Sequence, residues 1–221
     1  MEPHMMPAQS DFYTSTGIHV YFKDSLINDE IDVEEVVAQL EDLVPSHLTS
    51  EVEMIIVGDF AEFHRREINA FYNEGTLYVS NVQDDSVDMF DDIVHETAHS
   101  LEQPHGYLIY GDGQLEKEFL RKRLHLHDLL WSMDYKIPKS VFIDSAYNEE
   151  LDMFLYKTVG YEKLSQIVRG LFLSAYAVTS LREYFATGFV EFYLDPNHNY
   201  LKKISPTLFR KLIELHDLVE N

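Results

Sequence analysis

Cysteine is absent from the chain, which removes disulfide frameworks, thiolate zinc ligands and cysteine nucleophiles together. Positive charge is scarce: 17 Lys and Arg stand against 39 Asp and Glu, for a formal charge of -22. Phosphate binding is driven mostly by cations, so nucleic acid and anionic membrane surfaces are poor partners for this field. Metal ions and cationic substrates suit it better. No apolar run is long enough to span a bilayer. The opening MEPHMMPAQS has neither the basic nor the apolar stretch of a secretory signal, so the expected location is the cytoplasm. Export by a route without such a signal, or association with a virion, stays open.

What is present is ordinary for a globular protein: 45% hydrophobic and 25% charged residues over 221 positions, enough for one domain or two closely packed lobes. GIHVYF (17–22), EVEMIIVGD (51–59) and TLYVS (76–80) read as strands, with NAFY and the turn NEG (73–75) before the last. IDVEEVVAQLEDLV (31–44) has helical spacing and stops at Pro45, and FAEFHRREI is short or irregular. From Asp84 onward the pattern is almost wholly helical. SVDMFDDIVHETAHSLEQ (86–103) opens with a Ser86 cap and closes at Pro104. GDG (111–113) is a loop, QLEKEFLRKRLHLHDLLWSM a long helix, two or three helices follow between Tyr147 and Leu194, and SPTLFRKLIELHDLVE (205–220) is the last. The expected architecture is a single α+β domain, with a small α/β lobe over 1–83 and a helical lobe over 84–221.

Within the helix over 86–103 lies HETAH, residues 95–99. Eleven histidines and many glutamates give a chance match odds of roughly one in twenty, so the letters alone do not decide. Their setting does more. On a helix, Phe90, Val94, Thr97 and Leu101 form one stripe, while His95, Glu96, His99 and Gln103 fall on the other side. Residues four apart sit one above the other, so both imidazoles reach one zinc ion. Glu96 points beside that ion, where a base for the attacking water belongs. The plain alternative is two surface histidines on a polar face, and the context favours zinc.

A catalytic zinc needs a third protein ligand, and two residues compete for the role. His105 stands where the metzincin pattern H-E-x-x-H-x-x-G-x-x-H wants a histidine, and WSMDY (131–135) looks like a Met-turn, but Glu102 replaces the required glycine. Glu183 lies in SAYAVTSLREYFATGF (174–189), where Ser180-x-x-Glu183 also has the form of a capping box. That helix is apolar on both sides, and a carboxylate buried in it needs a strong partner such as a metal.

HETAH followed by Y-x6-E-[YF]-F-A resembles the zinc peptidases typified by anthrax lethal factor and the secreted clostridial Pro-Pro endopeptidases. The likeness runs from about Thr76 to ISPTLFRKL near the C-terminus. It implies a zincin-like fold with an active-site helix, one zinc per chain, and peptide-bond hydrolysis. It also implies His95, His99 and Glu183 as ligands, Glu96 as general base, and Tyr176 as hydrogen-bond donor to the oxyanion. A protein or peptide substrate would add a strand along Asn69–Ser80. The chain departs from the pattern of the family it resembles in Ala98, where glycine is common, in Thr187, where a second acid is common, and in a longer connection from His99 to Glu183. His125 and His127 do not share a face, and His19, His47, His64, His198 and His216 lack ligand spacing. Two other readings stand beside the peptidase: a zinc-bearing structural or interaction module without catalysis, and a metzincin-like enzyme using His105.

Overall fold

The structure, a computed structural model, describes residues 10–218. Residues 1–9 of the opening segment, and residues 219–220 of the last expected helix, lie outside the described residues. The chain divides into two compact units, Met1–Leu101 and Glu102–Asn221. The first is mixed α/β and the second is helical, so the α+β class holds.

The first unit contains five strands in the order β1-β2-β3-β5-β4. They are β1 Phe12–Tyr13, β2 His19–Phe22, β3 Met54–Gly58, β4 Ala70–Asn73 and β5 Thr76–Ser80. β2, β3 and β5 run parallel, while β1 and β4 pair antiparallel at the two edges. Parallel neighbours need a crossover, and helix α1 (Val33–Leu43) supplies it between β2 and β3, followed by the short α2 (Ser46–Thr49). Asp32 caps α1 by accepting from the Glu35 N–H, and Val33, Val36, Val37 and Leu40 form its buried face. Alternation explains the sheet: Val20, Ile55, Val57, Leu77 and Val79 are fully buried. Phe60, Phe63, Phe71 and Tyr78 form an aromatic cluster, with Phe63 supplied by α3 (Ala61–Arg66). The β4–β5 hairpin closes through Glu74 and Gly75, with φ of 44° and 83°. Two successive positive φ values are what a type I′ hairpin turn demands, and the glycine meets that demand without a Cβ penalty.

Helix α4 (Ser86–Ser100) completes the first unit, packing on α1, β4 and β5. The sequence divides the lobes at residue 83, but the compact units divide after Leu101. Met89, Phe90, Ile93, Val94 and Ala98 are all buried on α4, and that apolar face ties the helix to the sheet. Asp85 is the N-cap in place of Ser86, accepting from the N–H groups of Val87 and Asp88.

The second unit is built from α5 (Glu102–Tyr110), α6 (Gln114–Ser132), α7 (Glu149–Met153), a π-helical segment (Phe154–Gly160), α8 (Tyr161–Ile167), α9 (Leu181–Leu194), α10 (Asn199–Ile204) and α11 (Pro206–His216). Two 3-10 turns, Lys139–Phe142 and Tyr176–Val178, link them. α9 is the central element, packing on α6, α10 and α11 and burying Tyr184, Phe185, Phe189 and Phe192. Gly188 lets α11 approach: a Cβ there would stand 2.3 Å from Leu208 Cδ2. Polar groups are buried here too. Glu118 accepts from the Tyr184 hydroxyl (2.9 Å) and from the first N–H groups of α11, Thr207 (2.8 Å) and Leu208 (3.2 Å). A helix start leaves such donors without intrahelical partners, and this carboxylate satisfies two of them.

Pro104 does not end a helix. α5 starts at Glu102 and contains Pro104, His105 and Gly106, because a proline in a helix's first turn removes an N–H that has no intrahelical acceptor anyway. His105 is thus a helical residue. WSMD is the end of α6, where Met133 is the C-cap and 44% exposed.

Candidate metal centre

α4 delivers the HETAH residues as its periodicity requires. Its apolar side is buried, and its last turns carry His95, Glu96 and His99 on the remaining face. One donor atom from each lies within 4.8 Å of the others, and among the described residues this is the group able to hold a metal ion. The imidazole rings are 5.1 Å apart at 73° to one another. Hydroxyls on the same helix bond back along it: Thr97 Oγ1 donates to the Ile93 carbonyl at 2.8 Å and Ser100 Oγ to the Thr97 carbonyl at 2.7 Å. The buried stripe is broader than the sequence suggests, and Gln103 leaves the polar face because it belongs to α5.

Glu96 and His99 are buried, and His95 is half-buried. The Glu96 carboxylate accepts a 2.8 Å hydrogen bond from the backbone N–H of Tyr72. Tyr72 sits on the edge strand β4, in antiparallel register opposite Leu77. The bond from Ser80 N–H to Asn69 C=O sets the alternation, so Ala70 and Tyr72 direct their backbone groups away from β5. Glu96 therefore links the metal-capable helix to the outer rim of the sheet.

Two acids that the sequence does not single out border the cluster. Asp91 and Asp92 precede His95 by one helical turn, and both carboxyls are pushed up by burial. Asp92 reaches about 6: burial dominates, Asp91 and Glu96 add to it, and the Gln83 amide and His95 oppose it. The signal was their i-3 and i-4 spacing from His95, which is inconspicuous in a chain this acidic.

The second unit carries the remaining candidates. Tyr176 opens a 3-10 turn and is 42% exposed, so it is not a packed core tyrosine. Glu183 lies in the first turn of α9, where its own N–H donates to the Ser180 Oγ at 3.2 Å. Half of the capping box is thus present. Glu183 is half-buried rather than buried, which weakens the argument that its burial alone demands a metal. Its neighbour Arg182 donates to Glu102.

The donor chemistry fits zinc. Two imidazoles one helical turn apart are the usual nitrogen pair for an ion that binds histidine at about 2.0–2.1 Å, and an adjacent carboxylate is available to a water beside it. Comparison of the chain with protein families, with curated proteins and with solved structures finds no match.

Proposed function

We propose that the chain is a zinc-dependent endopeptidase, with His95, His99 and Glu183 as zinc ligands, Glu96 as general base and Tyr176 as oxyanion donor. The observation that carries this reading is the position of Glu96: beside two imidazoles four residues apart, and hydrogen-bonded to the N–H of an antiparallel edge strand. A base for the attacking water needs a carboxylate in that place.

Bound zinc supplies a Lewis acid that polarises the scissile carbonyl and makes water acidic enough to react near neutral pH. Glu96, oriented by the Tyr72 N–H, takes a proton from the attacking water and returns it to the leaving amine. The exposed hydroxyl-bearing side chain of Tyr176 donates a hydrogen bond to the oxyanion. An extended peptide is held along β4, whose Ala70 and Tyr72 backbone groups face away from β5. Glu183 is favoured over His105 as third ligand because His105 is built into α5 and Met133 is an exposed helix cap rather than the base of a Met-turn.

Peptide-library digestion read by mass spectrometry, with zinc content measured on the same preparation, tests the proposal. One zinc per chain and cleavage by the parent are expected, with Glu96→Gln keeping the zinc and losing cleavage. Metal well below one equivalent after zinc loading would remove the reading. Cleavage by Glu96→Gln at the parent's rate would remove Glu96 from its role.

A further inference from the structure

Arg182 and Glu102 form an ion pair whose chain positions are more informative than its strength. Arg182 Nε donates to Glu102 Oε2 at 2.5 Å, and the Tyr110 hydroxyl donates to Glu102 Oε1 at 3.3 Å. Both carboxylate oxygens are therefore engaged, one by α9 and one by the far end of α5. The Glu102 side chain is only 15% exposed, whereas that of Arg182 is 64% exposed. Tyr110 also meets the buried Phe185 of α9, ring centroids 6.1 Å apart, so polar and apolar contacts join the same two helices.

Their places in the chain give this junction its meaning. Glu102 follows His99 by three residues, with only Ser100 and Leu101 between, and opens α5 where the histidine helix has just closed. Arg182 immediately precedes Glu183 and shares its helical turn. One ion pair thus joins the stretch leaving the two-histidine motif to the residue beside the carboxylate assigned as third ligand. An arginine suits the task, because its guanidinium stays charged and offers a rigid fork to the carboxylate. Arg182 also feels the Glu183 carboxylate electrostatically, so the cation stands near both acids.

We propose that Arg182 and Glu102 are positioning residues for the zinc site, fixing α9 so that Glu183 is presented as a ligand. This inference rests on the assignment of Glu183 made above. The pair touches neither substrate nor metal; it lowers the cost of ordering Glu183 when the ion binds. A partly exposed, charge-assisted pair should alter zinc affinity by between about threefold and tenfold.

The test is a chelator-competition titration of zinc on the full chain, with cobalt substitution to read ligand geometry by visible absorption. Arg182→Gln and Glu102→Gln should each weaken zinc by that factor and shift the cobalt spectrum. The melting temperature of the metal-free protein should stay near the parent's. Arg182→Lys should fall between parent and Arg182→Gln, and the charge-exchanged double variant Arg182→Glu/Glu102→Arg should recover most of the affinity. Arg182 is mostly exposed, so its variants are expected to fold even if a Glu102 variant does not. Glu183→Ala is run beside them. If it loses zinc while the Arg182 variants bind as the parent does, or while the exchanged double variant recovers nothing, the positioning role is overturned and the ligand assignment survives. If Glu183→Ala binds zinc like the parent, the assignment fails, and the positioning role fails with it.

Discussion

The two units treat buried charge in opposite ways. In the first, the buried polar side chains among the described residues are neutral ones such as Thr49, Asn81 and Gln83, together with the ionisable Glu96 and His99 of the candidate centre. In the second, Glu118, Lys122, Arg123 and Lys211 are all buried, and each serves the packing of helices. Glu118 receives the start of α11, Lys122 donates to Ser205 Oγ at 2.7 Å, Arg123 donates to the Asp144 carbonyl, and Lys211 reaches the Leu108 carbonyl at 2.7 Å. Burying an ionised group is costly unless it is well partnered, so a fold keeps one where it satisfies orphaned backbone groups or where chemistry needs it. The second unit displays the first reason. On the proposed reading the first unit, whose sheet and α1 bury no charged side chain among the described residues, displays the second.

Substitution should separate the two kinds of burial. The largest effect is expected at Glu96: Glu96→Gln should slow peptide hydrolysis by about a hundredfold or more, yet leave urea unfolding within about 1 kcal/mol of the parent. A stability loss as large as that at Glu118 would erase the contrast. Glu118→Ala is the counterpart. Removing a carboxylate that is 3% exposed and accepts three hydrogen bonds should cost about 3–5 kcal/mol in the same unfolding measurement. Zinc binding sharpens the comparison further, since Glu183 belongs to the unit where charges otherwise hold helices together. Glu183→Ala should weaken zinc by about a hundredfold in chelator competition, and His105→Ala should leave it nearly unchanged. Reversal of that order would hand the third position to His105.

Smaller effects test the packing of each unit. Gly188→Ala places a methyl 2.3 Å from Leu208 Cδ2 and should destabilise by about 1–3 kcal/mol on calorimetry, as α9 and α11 are forced apart. The smallest change concerns Glu41 in the first unit. Burial raises its carboxyl, but hydrogen bonds from Ser15, Thr14 and Thr16 outweigh that and hold it at about 2. A depressed acid contributes stability above its unfolded value and loses it as pH falls toward the folded one. The gap in melting temperature between parent and Glu41→Gln should therefore be full above about pH 4.5 and close by about pH 2. A gap unchanged across that window would mean the carboxylate does not pin the 14–16 turn.

Much of the first unit is written locally. Alternation marks β3 and β5, the Asn73-Glu74-Gly75 turn announces the hairpin, and the four-residue spacing of His95 and His99 follows from helical geometry alone. The second unit is less legible because its determinants are distant in sequence. Glu118, Lys122 and Arg123 look like the solvated face of a charged helix in QLEKEFLRKR. Glu118 is buried because α11, some ninety residues on, brings backbone donors that need an acceptor, while Lys122 and Arg123 are buried where Ser205 Oγ and the Asp144 carbonyl accept from them. Pro104 reads as a terminus because proline disrupts a helix interior, whereas a first-turn position costs it little. No local signal distinguishes the two cases, since the outcome depends on a new helix starting at Glu102. The limit of the first unit lies at Leu101 and not at residue 83 because the apolar face of α4 packs on α1 and the sheet.

The bond from Tyr72 N–H to Glu96 has a consequence for everything that could add to β4. A terminal strand offers a ladder, and a ladder with every rung exposed accepts any extended chain, including another copy of the same protein. Here one rung is already occupied by a carboxylate. A newcomer must either do without that hydrogen bond or compete with an anion for it, and a wrong register gains nothing to offset the loss. The edge is thereby made less receptive by subtraction, and indiscriminate zipping is discouraged.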